Sequence, residues 1–200
     1  MNNIPLFPLS SVLFPKGRMP LQIFEQRYID LVSRCMKTDT GFGIVWLQQG
    51  NEVARPGQRE LRFGEYGTYA RIVDWDSLPN GLLGIKIEGR EIFKVFETEL
   101  QDNQLVTAEV DYLPAEKPLM NEDFHQHFID VLSALERHPH ASSLGLDYDR
   151  ENTLEVAGVL TQLLPIQEMA KYEVFCIDEP VRRLQRVDEI LSELSGDIPS

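Results

Sequence analysis

Four histidines, His125, His127, His138 and His140, lie within sixteen residues and form the one stretch of this chain with metal-ligand character. The first pair falls on a helical pattern, where residues two apart point about 200° from each other and cannot share one ion. The second pair brackets Pro139 in what reads as a loop and would need ligands from elsewhere. Solvated histidines near helix ends are therefore the expectation, with neither metal nor cofactor. Asp74 and Asp76 flank Trp75 and would share one side of a strand, a pairing that acid–base chemistry can use. The turn that follows, Ser77-Leu78-Pro79-Asn80-Gly81, explains them more simply as strand-end and turn residues.

Longer catalytic motifs are absent. The 200 residues contain no G-x-x-x-x-G-K-[ST] phosphate loop, no G-x-S-x-G nucleophile elbow and no H-E-x-x-H zinc helix. P-loop ATP hydrolysis is therefore not expected, and an enzyme of any kind becomes the lesser expectation.

Recognition chemistry is better represented. Arg55, Arg59 and Arg62 make the only local basic cluster, but Glu52, Glu60 and Glu65 interleave with them, which favours a self-neutralised loop over an anion site. Trp46, Tyr66, Tyr69 and Trp75 gather around the same long polar segment and its flanking strands. Rigid aromatics anchor many binding surfaces, and barrel core is the competing assignment for them. The candidate contact residues are Trp46, Arg59, Arg62, Tyr66 and Trp75.

The elements that must position these residues fall into two groups. Asn3 to Pro20 carries four prolines, Pro5, Pro8, Pro15 and Pro20, and reads as edge strand and turn because proline neither donates to a ladder nor continues a helix. Phe24, Tyr28, Leu31, Val32, Cys35 and Met36 then form the apolar stripe of a helix near 22–37. Gly41 and Gly43 close it and open a strand, Ile44 to Leu47. Gln48 to Gly67 is long for a connection and is expected as a surface hairpin or loop. Strands are expected at Thr68–Trp75, Leu82–Glu88, Glu91–Leu100 and Leu105–Leu113, with Glu88-Gly89-Arg90 as one of the turns. In the last strand Val106, Ala108, Val110 and Tyr112 alternate with Thr107, Glu109 and Asp111, so one face is buried and one is wet. Short strands at about ten-residue spacing suggest a small barrel or sandwich.

Pro114 to Pro118 marks a boundary, beyond which the period becomes helical. Phe124, Phe128, Val131, Leu132 and Leu135 form one stripe behind an Asn121 cap. A second helix runs from about Asn152 to Leu164, a third from Pro165 through Met169 and Phe175, and a fourth from Asp178, with Pro180 in its first turn, to Gly196. The expected fold is thus α+β, with a strand-rich lobe over 1–115 followed by a helical bundle over 116–200. The charge is divided in the same way: residues 1–115 hold 12 Lys/Arg and 15 Asp/Glu, and residues 116–200 hold 7 and 17, within a total of −13. An acidic second half repels nucleic acid and anionic lipid and tolerates cationic or neutral polypeptides.

No run approaches the roughly 18 apolar residues of a membrane span, and the opening nine residues lack the pattern of a secretory signal. With 42% hydrophobic residues the chain can bury roughly 70% of its unfolded surface without disulfides. Cys35 and Cys176 are expected as reduced, buried thiols of a cytoplasmic protein.

Ile4-Pro5-Leu6-Phe7-Pro8-Leu9, Val12-Leu13-Phe14-Pro15, Pro20-Leu21-Gln22-Ile23-Phe24-Glu25 and Arg27-Tyr28 resemble the proline-punctuated start of the Lon protease N-terminal domain. Gly67-Thr68-Tyr69-Ala70-Arg71-Ile72 and Ile87-Glu88-Gly89-Arg90-Glu91-Ile92-Phe93-Lys94-Val95 are similar to its central strands, and Leu164-Pro165 with Pro180-Val181-Arg182-Arg183-Leu184 to its helical portion. The resemblance implies a PUA-like strand lobe joined to helices, the element with which Lon captures unfolded or tagged polypeptides. In full-length Lon an ATPase and a Ser-Lys peptidase follow. This sequence stops at Ser200, so proteolysis is not expected of it, and a separate protease becomes a candidate partner. RNA binding, known among PUA-like relatives, is the alternative and lacks a basic footprint here; a small-ligand binder or unrecognised enzyme is the other.

Overall fold

The computed structural model describes residues 2–49 and 62–196. The fold is α+β, and among the described residues it has six strands and six helices. By contact density the chain forms two compact units, Met1–Ala115 and Glu116–Ser200.

The first unit contains β1 (Asn2–Leu9), β2 (Arg18–Ile23), α1 (Gln26–Thr38), β3 (Phe42–Gln49), β4 (Arg62–Ser77), β5 (Leu83–Leu100) and β6 (Val106–Tyr112). The sheet order is β2-β5-β4-β3-β1-β6, and β5 also pairs with β6, so five strands close into a ring with β2 added outside. Among the described strands only β1 and β3 run parallel, with Leu6 opposite Gly43. Closure of this kind removes most free strand edges.

Glu88-Gly89-Arg90 is not a turn. β5 runs unbroken through it because the proline-rich segment after β1 is sewn to its backbone: Lys16 N–H donates to Gly89 O, and Gly89 N–H donates to Gly17 O, both at 2.9 Å. Any Cβ at position 89 would stand 2.2 Å from Phe14 O, so glycine is required here for close backbone approach. β4 likewise begins at Arg62, so the last part of the expected long loop is strand; residues 50–61 lie outside the described residues.

Two apolar clusters use opposite faces of the strands, as period-two alternation demands. Ile4 and Leu6 join Val45, Phe93, Val106, Ala108 and Val110 on one face. Phe7 and Leu9 face the other way and join Phe42, Ile44, Ile85 and Ile87 beneath Tyr28, Leu31, Val32 and Cys35 of α1. Burying each such helix side chain contributes about 2 kcal/mol, and the Tyr28 ring stacks on Phe7 at 3.9 Å. The helix starts later than its sequence pattern suggests. Glu25 is the N-cap, so Phe24 precedes the first turn and is 54% exposed, and Met36 also faces out. The helix ends at Asp39 in the left-handed region, φ 50°, not at the glycines.

The second unit holds α2 (Glu122–Glu136), α3 (Pro139–Leu144), α4 (Thr153–Leu163), α5 (Glu168–Phe175) and α6 (Pro180–Gly196). Asn121 caps α2 by accepting from Asp123 N–H, and Asn152 caps α4 by accepting from Leu154 N–H. Asn152 also accepts from Leu119 N–H at 3.1 Å, and buried Thr153 accepts from Asn121 N–H at 3.0 Å, so one dipeptide ties the start of the unit to α4. Pro165 does not begin a helix; α5 starts after Gln167, and Met169 is exposed. The segment around Pro139 is helical rather than loop, because Pro139 occupies the first turn and His138 accepts from His140 N–H as its cap. No helix among the described residues is long and apolar enough to cross a membrane.

Candidate functional site

Among the described residues, the aromatic and arginine side chains that flank the long polar segment are not brought into one patch. Trp46 lies in β3, opposite Leu9 of β1, and is only 8% exposed. It belongs to the packed interior, which corrects its candidacy as a surface anchor. Arg62 is exposed at the first position of β4. Tyr66 is half-buried opposite Lys94, whose Nζ stands 5.6 Å from the ring centroid in cation–π geometry. Arg59, like Arg55, lies outside the described residues. Trp75 is 60% exposed near the far end of the same strand as Arg62, roughly 40 Å along an extended chain.

Trp75 is the exposed tryptophan. It stands opposite Ile85, which stands opposite Leu21, so a row of three apolar side chains crosses β4, β5 and β2 on one face. Ile85 is buried and Leu21 half-buried in the cluster beneath α1, and Trp75 extends the row past that cover. Val73 is also exposed. Beyond Ala70, β4 has β5 as its only strand neighbour among the described residues. Trp75 N–H donates to Asp74 Oδ1 at 2.9 Å and Ser77 N–H to Asp76 Oδ1 at 2.7 Å. The two aspartates thus occupy donors that an added strand would need, a common way of blunting an edge. They serve the backbone of the strand end, and Asp74 also lies 3.9 Å from Lys86 Nζ.

Sequence reasoning missed other exposed apolar side chains in this unit. Phe24 fits the helical core stripe by its spacing and yet stands exposed ahead of α1. Phe96 and Leu100, 49% and 56% exposed, lie in what read as an ordinary strand. Alternation from Phe93 and Val95, which face the buried cluster, turns Phe96 outward, and a register shift after Val95 turns Glu97 out beside it. Nothing in the local pattern signals such a shift.

Two of the histidines make side-chain contacts with other helices of the second unit or their caps. His125 Nδ1 is 3.1 Å from Thr153 Oγ1, and His127 Nδ1 is 3.1 Å from Asp188 Oδ1 of α6. Among the described residues no three His, Cys, Asp or Glu side chains are grouped to hold a metal ion. Three ionisable groups among the described residues of the first unit are perturbed, and the hydrogen bond to Asp39 pushes the Arg71 guanidinium up. Burial pushes the Cys35 thiol up. Burial, then the neighbouring Tyr69 and Glu91, push the Tyr112 phenol up to about 12.

Comparison with known proteins places the chain in a family. The model of the ATP-dependent protease La (LON) substrate-binding domain matches residues 3–193. A LON peptidase N-terminal domain and RING finger protein of Schizosaccharomyces pombe is 27% identical over 96% of this chain and 45% of its own length. The Lon protease of Cytophaga hutchinsonii is 31% identical over 60% of this chain and 14% of its own. The chain therefore spans less than half the length of these curated relatives. Among solved structures, a Lon N-terminal domain protein from Xanthomonas campestris superposes with a TM-score of 0.68 at 28% identity, covering all of both chains. The N-terminal domain of Mycobacterium avium complex Lon protease shares the fold, with a TM-score of 0.61 at 12% identity over 94% of this chain and 97% of its own. With the family model spanning both units, the chain belongs to the Lon substrate-binding domain family.

Proposed function

We propose that this chain is a non-catalytic recognition module that binds unfolded or tagged polypeptides, or protein partners, and acts in the cytoplasm beside a separate protease. The observation that carries the reading is Trp75, a 60% exposed tryptophan at the open end of an apolar row on a rigid hairpin. A large aromatic kept in water adds little to stability and much to a binding surface. Membership of the Lon substrate-binding family supports the same reading. The first unit is read as PUA-like on its sequence resemblance, and the 1–115 and 116–200 division as a contact lobe and a helical scaffold. Nucleic acid falls outside the proposed partners because a net charge of −13 opposes phosphate binding.

The test is a titration of the protein with a fluorescent, permanently unfolded polypeptide and with labelled single-stranded RNA at several salt concentrations. Saturable binding of the polypeptide, weakened by Trp75→Ala, is expected. Binding of RNA alone, falling steeply with salt, would overturn the reading.

A further inference from the structure

Three carboxylates share one strand face of β5 and β6 without a partner among the described residues. Glu97 and Glu109 are direct cross-strand neighbours, and Glu99 follows two positions along β5, opposite Thr107. All three acids are exposed, and none has a hydrogen bond or ion pair through its side chain there. Cβ atoms of directly opposed residues stand about 5 Å apart, and like charges at that distance repel. The fold therefore carries an acidic pair that gains nothing within the described chain.

A second observation points into the same place. Thr107 lies between Glu99, across the ladder, and Glu109, two residues along its own strand. It is 6% exposed, and its Oγ1 is the one buried side-chain polar atom without a hydrogen-bond partner among the described residues. Buried hydroxyls normally find a partner. Phe96 completes the surface: the register shift after Val95 leaves Phe96 and Glu97 together against Glu109, with the Phe96 ring 49% exposed.

We infer that this face docks an extended polypeptide segment carrying lysine or arginine beside apolar residues. The inference deepens the polypeptide-binding reading and rests on it. Cationic groups of the segment sit among Glu97, Glu99 and Glu109, and an apolar neighbour covers Phe96. One cationic N–H of the segment supplies the partner that Thr107 Oγ1 lacks. Charge complementarity selects this occupant, because an acidic or phosphate-bearing ligand meets three opposed carboxylates and a chain of net charge −13.

Fluorescence anisotropy tests it on the full chain, with a labelled peptide of alternating lysine and leucine and counterparts carrying glutamate or serine for lysine. The lysine peptide is expected to bind about tenfold tighter than the glutamate peptide, an advantage that shrinks with salt. The double variant Glu97→Gln/Glu109→Gln should lose about fivefold in that binding. Asp147→Asn/Glu173→Gln, which removes the same charge from the helical unit, should leave it nearly unchanged. Thr107→Val should weaken the lysine peptide selectively, and Phe96→Ser should weaken the lysine and serine peptides alike. Equal binding of the three peptides, or equal loss in the two double variants, overturns the inference. If the unfolded polypeptide still binds in that case, polypeptide recognition stands and only its placement and charge preference fall. If no polypeptide binds at all, both readings fall. Concentration-dependent self-association abolished by Glu97→Gln/Glu109→Gln, with peptide binding unaffected, would make the occupant a second copy and overturn the inference as well.

Discussion

Arg18 and Glu88, seventy positions apart in the chain, lie side by side on β2 and β5, with Arg18 Nε donating to Glu88 Oε2 at 2.7 Å. Arg90 Nη2 holds the other carboxylate oxygen at 2.9 Å, and the Glu88 side chain is 3% exposed. The carboxylate thus sits between two guanidinium groups at the place where the proline-rich segment is laced to Gly89.

Breaking the clamp from the acidic side should be severe. Glu88→Ala leaves Arg18, itself mostly buried, without its counter-ion, and the expected loss is about 3 kcal/mol in urea denaturation. An unchanged midpoint would show that the pair contributes nothing. Arg90→Ala, at the more exposed partner, should cost under about 1 kcal/mol.

Gly89→Ala should destabilise more than an ordinary surface change. The new methyl group meets Phe14 O at 2.2 Å, and neither backbone can yield without breaking the hydrogen bonds on both sides of position 89. A loss of about 2 kcal/mol or more is expected. Gly81→Ala is a different case, with open space but a positive φ of 80°, and should cost about 1 kcal/mol through strain alone. Comparing the two thermal midpoints checks the order.

The two tryptophans should separate cleanly. Trp46→Ala opens a cavity in the packed interior and is expected to cost about 3 kcal/mol or more. Trp75→Ala should change stability by about 0.5 kcal/mol or less while weakening polypeptide capture. Acrylamide should quench the emission of a protein holding Trp75 alone and barely affect one holding Trp46 alone. Equal quenching would contradict the burial described above.

Ionisation and thiol reactivity give a fourth check. Tyr112 titrates at about 12 in the folded chain, above the usual phenol value of about 10. A folded pKa raised in this way contributes stability that is fully present below pH 10 or so. That contribution is lost as the pH rises from about 10 through about 12, because the unfolded chain gives up the proton first. Alkaline unfolding should therefore begin at lower pH in the wild type than in Tyr112→Phe. Cys35 is buried with its thiol pushed up, so a thiol reagent at neutral pH should modify Cys176 first and Cys35 only with unfolding.

Much of the local structure is readable along the chain, since it depends on neighbours within a few residues. The alternation of Val106, Ala108 and Val110, the Asn121 and Asn152 caps and the Pro180 helix start all follow from period and side-chain chemistry. The same locality explains the misreadings. Glu88-Gly89-Arg90 carries turn-like residues, and only the backbone of Phe14 to Gly17 against Gly89 makes it strand. Trp46 and Trp75 look alike in sequence, because alternation assigns a side of the sheet and not what lies over that side. Coverage comes from α1 and from pairings across tens of residues, and it ends before Trp75 and before Glu109. The unpaired carboxylates around Thr107 arise in the same way: β5 and β6 bring them together, and no element among the described residues extends far enough to cover them.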